Sequence, residues 1–216
     1  MPNWCSNRLK ITGPKKDLQT IKKALVSQND KGENLVFSFQ ALVPMPENLR
    51  TMGGLPLKEK PRLTDGQRAR VAVDFANGLI DQVEAYEKSE DAYLIQNDDW
   101  YNWGIINWGT KWDVGHAHLL DQIETAGVLI YDFETAWSPP RSWVRRASPK
   151  FPTLRFELLY AEPGMDFAGQ TVYEAGGLLE DEGAPGDDIP AYLRALGWEE
   201  GAEWMLPSKE EDANDA

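Results

Sequence analysis

The sequence predicts an α+β fold of the ferredoxin-like type, a split βαβ sandwich in which two helices cover one face of a four-stranded antiparallel sheet. The patterns along the 216 residues run strand, helix, strand, long insertion, strand, helix, strand. Each strand pattern alternates apolar and polar residues, which indicates one buried face. The chain is also long enough for one such domain with additions.

The first half supplies a strand, a helix and a second strand. Residues 4–12 alternate, with Cys5, Asn7, Leu9 and Ile11 on one side. A Gly-Pro pair then ends the strand, and apolar residues recur at helical spacing between residues 18 and 26. A second strand is predicted over 35–43, where the prolines that follow end it.

The predicted insertion spans residues 45–127, between strands two and three. It contains a loop rich in Pro and Gly, a long helix from residue 64, a tryptophan-rich stretch at 100–113 and a short helix at 116–126. The stretch holds four of the nine tryptophans. It is too polar for an ordinary strand and too rich in glycine for an ordinary helix, so we expect a connection pinned by its indoles.

The second half completes the predicted domain, 1–175. The third strand covers 128–137, a helix starts at Ser138, the fourth strand covers 154–160, and a hairpin-like extension follows. Beyond it we predict an acidic, partly disordered C-terminal extension over 176–216. It would comprise a linker at 176–187, a short helix, the docking tryptophans Trp198 and Trp204, and a frayed tail.

Charge is distributed unevenly. Residues 161–216 hold fifteen Asp and Glu against two Lys and Arg, so they carry the whole net charge of −13. Direct nucleic-acid binding is therefore disfavoured. Sheet-face RNA reading is disfavoured too, because charged pairs are expected across the outer face. They would join Arg8 and Lys10 to Asp132, Glu134 and Glu157. The tryptophans of the insertion would cover that face.

Composition indicates a soluble protein of a reducing compartment. The single cysteine, Cys5, excludes an internal disulfide and reads as a small buried hydrophobe. No signal peptide or membrane-spanning segment is recognisable, so we expect a cytoplasmic location and no membrane contact.

The tryptophan-rich stretch and the end of strand three supply the candidate binding site: Trp103, Asn107, Trp108, Thr110, Lys111, Trp112, Asp113 and Trp137. Lys111 and Asp113 are two residues apart and would point the same way on an extended segment. They would form either a structural ion pair or a polar site walled by indoles. His116 and His118 with Asp113 give a weak metal pattern. We predict no metal, no cofactor and no identifiable catalytic residue.

Four motifs in order give the chain a family resemblance: residues 1–7, 107–113, 135–140 and 160–169. Together they resemble the YubB-type ferredoxin-like family of phage, plasmid and bacterial proteins. The resemblance implies the ferredoxin-like fold, a mobile-element setting and a cytoplasmic location, and it brings no activity or catalytic residues. It covers roughly residues 1–175.

These observations favour a non-enzymatic accessory protein that binds a host or phage protein through the tryptophan-rich insertion, the acidic C-terminal segment, or both. One alternative is a small enzyme or ligand-binding protein with a pocket around Lys111 and Asp113. A second is nucleic-acid binding, or nucleic-acid mimicry by the acidic segment. The sequence leaves the partner and the oligomeric state open.

Overall fold

A six-stranded antiparallel sheet forms the centre of the protein, seen in a computed structural model that describes residues 3–28, 32–50, 100–184 and 188–205. Among these residues the strands are β1 (Trp4–Thr12), β2 (Ser27–Gln28), β3 (Asn34–Leu35), β4 (Gly115–Gln122), β5 (Val128–Ala136), β6 (Arg155–Glu162), β7 (Phe167–Glu174) and β8 (Gly177–Gly183). The central sheet has the order β4-β5-β1-β6-β7-β8, while β2 and β3 pair separately.

The helices of the described residues are mostly short. They are α1 (Lys15–Ala24), α2 (Glu47–Arg50), α3 (Trp100–Trp108), α4 (Ile123–Ala126), α5 (Arg141–Ala147), α6 (Ile189–Ala195) and α7 (Glu199–Trp204), with 3₁₀ turns at Phe39–Ala41 and Ser148–Lys150. None of them is long and apolar enough to cross a membrane. The long helix predicted from residue 64, the tail after 205 and the side chain of Trp204 lie outside the described residues.

The split βαβ arrangement is present, but a different segment supplies its second strand. β1 lies between β5 and β6 and is antiparallel to both, as predicted. The strand that pairs with the outer side of β5 is β4, not the segment 35–43, and the sequence analysis had predicted a helix at 116–126 in the place of β4. The insertion therefore lies between α1 and β4 rather than between strands two and three. The predicted four-stranded sheet was too small, because β7 and β8 extend it beyond β6.

The strand predicted over 35–43 was wrong for a local reason. Only Asn34–Leu35 pairs, and the chain then makes a 3₁₀ turn. Phe37 and Phe39 are both buried in the main core, where the ring of Phe37 lies 4.9 Å from that of Phe133. Their alternation reflects a loop that crosses the core. Its backbone is satisfied by a side chain, since the Phe39 N–H donates to the Asp113 carboxylate.

The main core lies between the inner face of the sheet and the helices α1 and α5, so the prediction that both helices share one face is confirmed. Helix α3 joins this same core through Trp103 and Trp108. Trp103 and Trp108 therefore do not cover the outer face, contrary to the sequence prediction. Their large apolar rings find more area to bury on the face that already carries the aromatic cluster. Of the tryptophans in the stretch at 100–113, only Trp112 lies beside the outward-facing Trp4.

The outer face is covered in part by the C-terminal segment. Residues 177–183, predicted as linker, form β8, so the boundary proposed at 175 falls inside the β7–β8 hairpin. Helices α6 and α7 then close a second apolar cluster of Leu159, Ala161, Ala168, Ile189, Leu193, Trp198 and Ala202. The predicted cross-strand pairs are present in two cases: Arg8 with Asp132 at 2.7 Å and Lys10 with Glu157 at 3.4 Å.

Candidate functional site

One end of the sheet brings together the four motifs that carry the family resemblance. The Trp137 N–H donates to the Asn3 carbonyl at 3.0 Å, which joins the start of β1 to the end of β5. The Thr110 hydroxyl donates to the Ala136 carbonyl at 3.0 Å. The loop after β6 packs on the same corner, where a Cβ on Gly164 would lie 2.4 Å from the Asn3 amide. Segments far apart in sequence are thus joined by hydrogen bonds to backbone carbonyls and by the close approach of Gly164 to the Asn3 side chain.

Two glycines let the tryptophan-rich stretch reach this corner. The stretch forms helix α3, which the sequence prediction had set aside because of its glycines. A Cβ on Gly104 would lie 2.9 Å from the Lys111 carbonyl oxygen, so glycine here allows the chain to fold back against its own helix. Gly109 follows the helix with φ +84°, a conformation that ends helices and favours glycine.

Three of the predicted site residues are buried supports rather than binding groups. Trp108 is inaccessible, and its indole N–H donates to the Val43 carbonyl at 2.9 Å. Trp103 packs edge-on against it, with ring centroids 5.2 Å apart. Thr110 is fully buried in its bond to β5. Asn107 lies at the surface of the helix, where its amide donates to the Trp103 carbonyl.

Asp113 is a loop anchor. Its carboxylate accepts hydrogen bonds from the Ser38 hydroxyl at 2.6 Å, the Phe39 N–H at 2.6 Å and the Val114 N–H at 2.8 Å. A carboxylate with three donors is satisfied. It forms no ion pair with Lys111, so the two residues that the sequence grouped as a polar pair have separate roles.

Lys111, Trp112 and Trp137 come together with Trp4, and we call these four residues the tryptophan–lysine patch. The Lys111 ammonium nitrogen lies 4.0 Å from the centroid of the Trp112 ring and 3.6 Å from that of Trp137. Both distances are well inside the range of cation–π attraction. Trp4 extends the patch, with its ring centroid 6.3 Å from that of Trp112.

The rings of the patch are partly exposed, whereas its lysine is almost buried. The three indoles are 39%, 40% and 42% exposed for Trp4, Trp112 and Trp137, while Lys111 is only 9% exposed. Water therefore reaches the outer parts of the rings and little of the lysine. A side chain that normally keeps its charge in solvent is enclosed here by aromatic faces.

Trp137 is held in an unusual backbone conformation. Its φ is +70°, in the left-handed region that a bulky side chain rarely adopts. Such a conformation costs on the order of 1–3 kcal/mol and persists only where the surroundings fix it. The N–H bond to Asn3 and the tie between Thr110 and the preceding carbonyl supply that restraint. The result is an indole placed over Lys111.

Sequence reasoning missed Trp4, although a signal was present. The alternation of β1 put this residue on the outward face at the start of the strand, where a large ring has no core to enter. Only the pairing of Trp4 with Ala136 shows that it adjoins Trp137. The histidine pattern leads to no such cluster: within the described ranges no three His, Cys, Asp or Glu side chains are grouped to hold a metal ion.

A family model agrees with the ferredoxin-like part of the fold. Residues 107–191 match the family model described as the ferredoxin-like domain in Api92-like protein. The crystal structure of the protein Api92 from Yersinia pseudotuberculosis is similar over 86% of this chain and 99% of that chain, with 12% sequence identity and a TM-score of 0.47. The search of curated proteins found no match. Over residues 107–191 the chain is therefore similar to the ferredoxin-like domain of the uncharacterised Api92-like proteins.

Proposed function

We propose that this protein is a non-enzymatic protein-binding module and that the tryptophan–lysine patch is its docking surface. The observation that carries the proposal is an enclosed lysine between two partly exposed indoles, with the exposed ring of Trp4 beside one of them. Trp is among the residues that most often dominate binding energy at protein interfaces. Contiguous exposed apolar surface on a soluble domain is typical of such interfaces.

The backbone supports a binding role as well. A tryptophan that served only to fill space could be placed without positive φ, and the fold would avoid its cost. Trp137 adopts positive φ although its ring remains 42% exposed, so burial of the ring does not account for the strained conformation. Rigid rings held in place before binding lose little conformational freedom when a partner arrives.

The structure changes which part of the sequence prediction we favour. Trp103 and Trp108 of the insertion are buried, so Trp112, together with Trp4 and Trp137 from the sheet, offers the exposed rings. The proposal retains a cytoplasmic phage- or plasmid-type accessory protein with a host or phage protein as partner. That setting rests on the resemblance to the YubB-type family alone.

Affinity capture from a bacterial lysate tests the docking surface. Three forms of the full chain would be compared: the wild type, the double variant Trp112→Ala with Trp137→Gly, and the control Leu179→Ala. Glycine suits the positive φ at residue 137, and Leu179 is an exposed apolar residue on β8, away from the patch. Unfolding transitions would establish that all three are folded.

The expected result is a protein captured equally by the wild type and the control and at least about tenfold less by the double variant, since hot-spot tryptophans commonly contribute that much. Capture of the same proteins in the same amounts by all three forms would show that the patch is not the docking surface.

A further inference from the structure

Among the residues that the structure describes, none offers a hydrogen-bond acceptor to the Lys111 ammonium. It carries three N–H donors. Its contacts are the two indole faces, and in the described part of the chain no oxygen accepts from it and no carboxylate pairs with it. The side chain is nevertheless nine-tenths buried. A buried charge without an acceptor is costly, and cation–π attraction replaces only part of its lost hydration.

The neighbouring carboxylates are already engaged. Asp113 accepts three hydrogen bonds from the loop that it anchors. Glu162, at the same end of the sheet, accepts from the backbone N–H groups of Gly164 and Met165. Neither carboxylate is paired with Lys111, whose ammonium lies instead against two partly exposed indole rings.

We infer that the patch recognises a carboxylate group on a partner polypeptide and that Lys111 is the residue that binds it. The inference rests on the proposed function and adds the chemistry of the partner. A carboxylate oxygen would supply the missing acceptor in a charge-assisted hydrogen bond, and the indoles would contact apolar groups beside it. Enclosure by rings strengthens this bond, because little water competes for the ammonium.

A single carboxylate fits the patch better than a polyanion does. The patch offers one cation, whereas binding of nucleic acid depends on many phosphate contacts made by Lys and Arg. The chain as a whole carries a net charge of −13, which repels an extended polyanion. A carboxylate flanked by apolar side chains matches this arrangement, because the carboxylate can bind Lys111 while the apolar groups contact the indoles of Trp112 and Trp137. Its source is either an acidic side chain or a free C-terminus.

Titrations with short peptides, followed through the indole ¹⁵N–H signals of the full-length protein, test the inference. One pair is acetyl-Gly-Leu-Asp-Phe-Gly-amide and the same peptide with Asn for Asp. The second pair is acetyl-Gly-Leu-Phe with a free carboxylate and with an amide. The first pair tests an acidic side chain, and the second tests a C-terminal carboxylate.

Two lysine variants provide the matched comparison. Lys111→Met keeps the aliphatic stem between the rings and removes the charge, while Lys10→Met makes the same change on the outer face. Lys10 is six residues along β1 from Trp4, about 20 Å away at the usual rise of a strand. Tryptophan signals assigned to the patch would report binding.

We expect saturable shifts of the patch signals with at least one carboxylate peptide. The wild-type protein should bind the neutral form of that peptide at least about tenfold more weakly. The Lys111→Met variant should bind the carboxylate peptide at least about tenfold more weakly than the wild type, and the Lys10→Met variant should bind it with unchanged affinity. Equal affinity for charged and neutral peptides, or no saturable shift with any peptide, would overturn the inference. If a captured partner is lost by the tryptophan variant but retained by Lys111→Met, the docking surface stands and carboxylate recognition is wrong.

Discussion

The attachment of the C-terminal helices to the sheet can be tested at a single contact between Trp198 and Gly201. Trp198 is fully buried in the second apolar cluster, on the outer face of the sheet. Gly201 lies one turn later, and a Cβ there would come within 2.4 Å of the indole ring. Such a distance forces the ring or the helix to move. We expect Gly201→Ala to introduce overpacking that costs about 1–3 kcal/mol of stability.

A double-mutant cycle isolates this contact. Trp198→Ala alone should lower the free energy of unfolding by about 3–5 kcal/mol, the usual cost of removing a buried tryptophan. In that background the added methyl group no longer meets a ring. The gain in helix propensity from Gly to Ala, up to about 1 kcal/mol, is common to both arms and cancels. The coupling energy should therefore be about 1–3 kcal/mol.

The four proteins would be compared by urea unfolding at equilibrium, followed by circular dichroism. As a control, Gly183→Ala should show no coupling to Trp198, because its Cβ would meet no atom within 4 Å. A coupling between Trp198 and Gly201 of less than about 0.5 kcal/mol is what independent sites give, and it would refute the packing described for the C-terminal segment.

Three further outcomes follow from the main core and the site. Gly104→Ala should cost about 1–3 kcal/mol in urea unfolding, because the Lys111 carbonyl cannot yield to a Cβ at 2.9 Å; a gain in stability would contradict this close approach. Asp113→Asn should cost about 1.5–3 kcal/mol, since an amide cannot accept all three hydrogen bonds, including that from the Ser38 hydroxyl; unchanged stability would show that the anchor is dispensable. Burial raises the pKa of the Cys5 thiol, and the nearby charge of Glu162 raises it further. A thiol reagent at pH 8 should therefore react with Cys5 only as fast as the chain unfolds, and rapid reaction with the native protein would contradict the burial of this thiol.

The three strands that the sequence located well are central ones. β1, β5 and β6 each have a partner on both sides, and their inner residues face the same helices. Both conditions impose a regular alternation that can be read from one segment. β4 lies at the edge of the sheet and buries Ala117 and Leu119 only in part, with Leu120 exposed beside them, so its alternation was too weak in the sequence and a helix was predicted there instead. The loop containing Phe37 gave the opposite error: its apolar residues alternate as in a strand, so a strand was predicted, but the segment pairs with no other strand beyond Leu35.

In the candidate site, too, the sequence predicted some features and not others. The sequence grouped Lys111 and Trp112 because they are adjacent, and it added Trp137 from a separate motif. It could not separate exposed tryptophans from buried ones, since all are large, apolar and close to turn residues. Burial of Trp108 depends on Val43 and on the aromatic cluster, which lie far away in sequence. Trp4 enters the patch only through the register of β1 with β5.

Four features can be read from the sequence: the alternating central strands, the two helices on one face, the glycine-dependent turns and the concentration of negative charge after residue 160. These are local properties, set by side-chain periodicity and backbone preference. Three others are visible in the folded protein alone: which segment forms the second strand, the covering of the outer face by β8 and the C-terminal helices, and the enclosure of Lys111 by Trp112 and Trp137. Each of these depends on contacts between residues distant in the chain, where burial and register outweigh local preference.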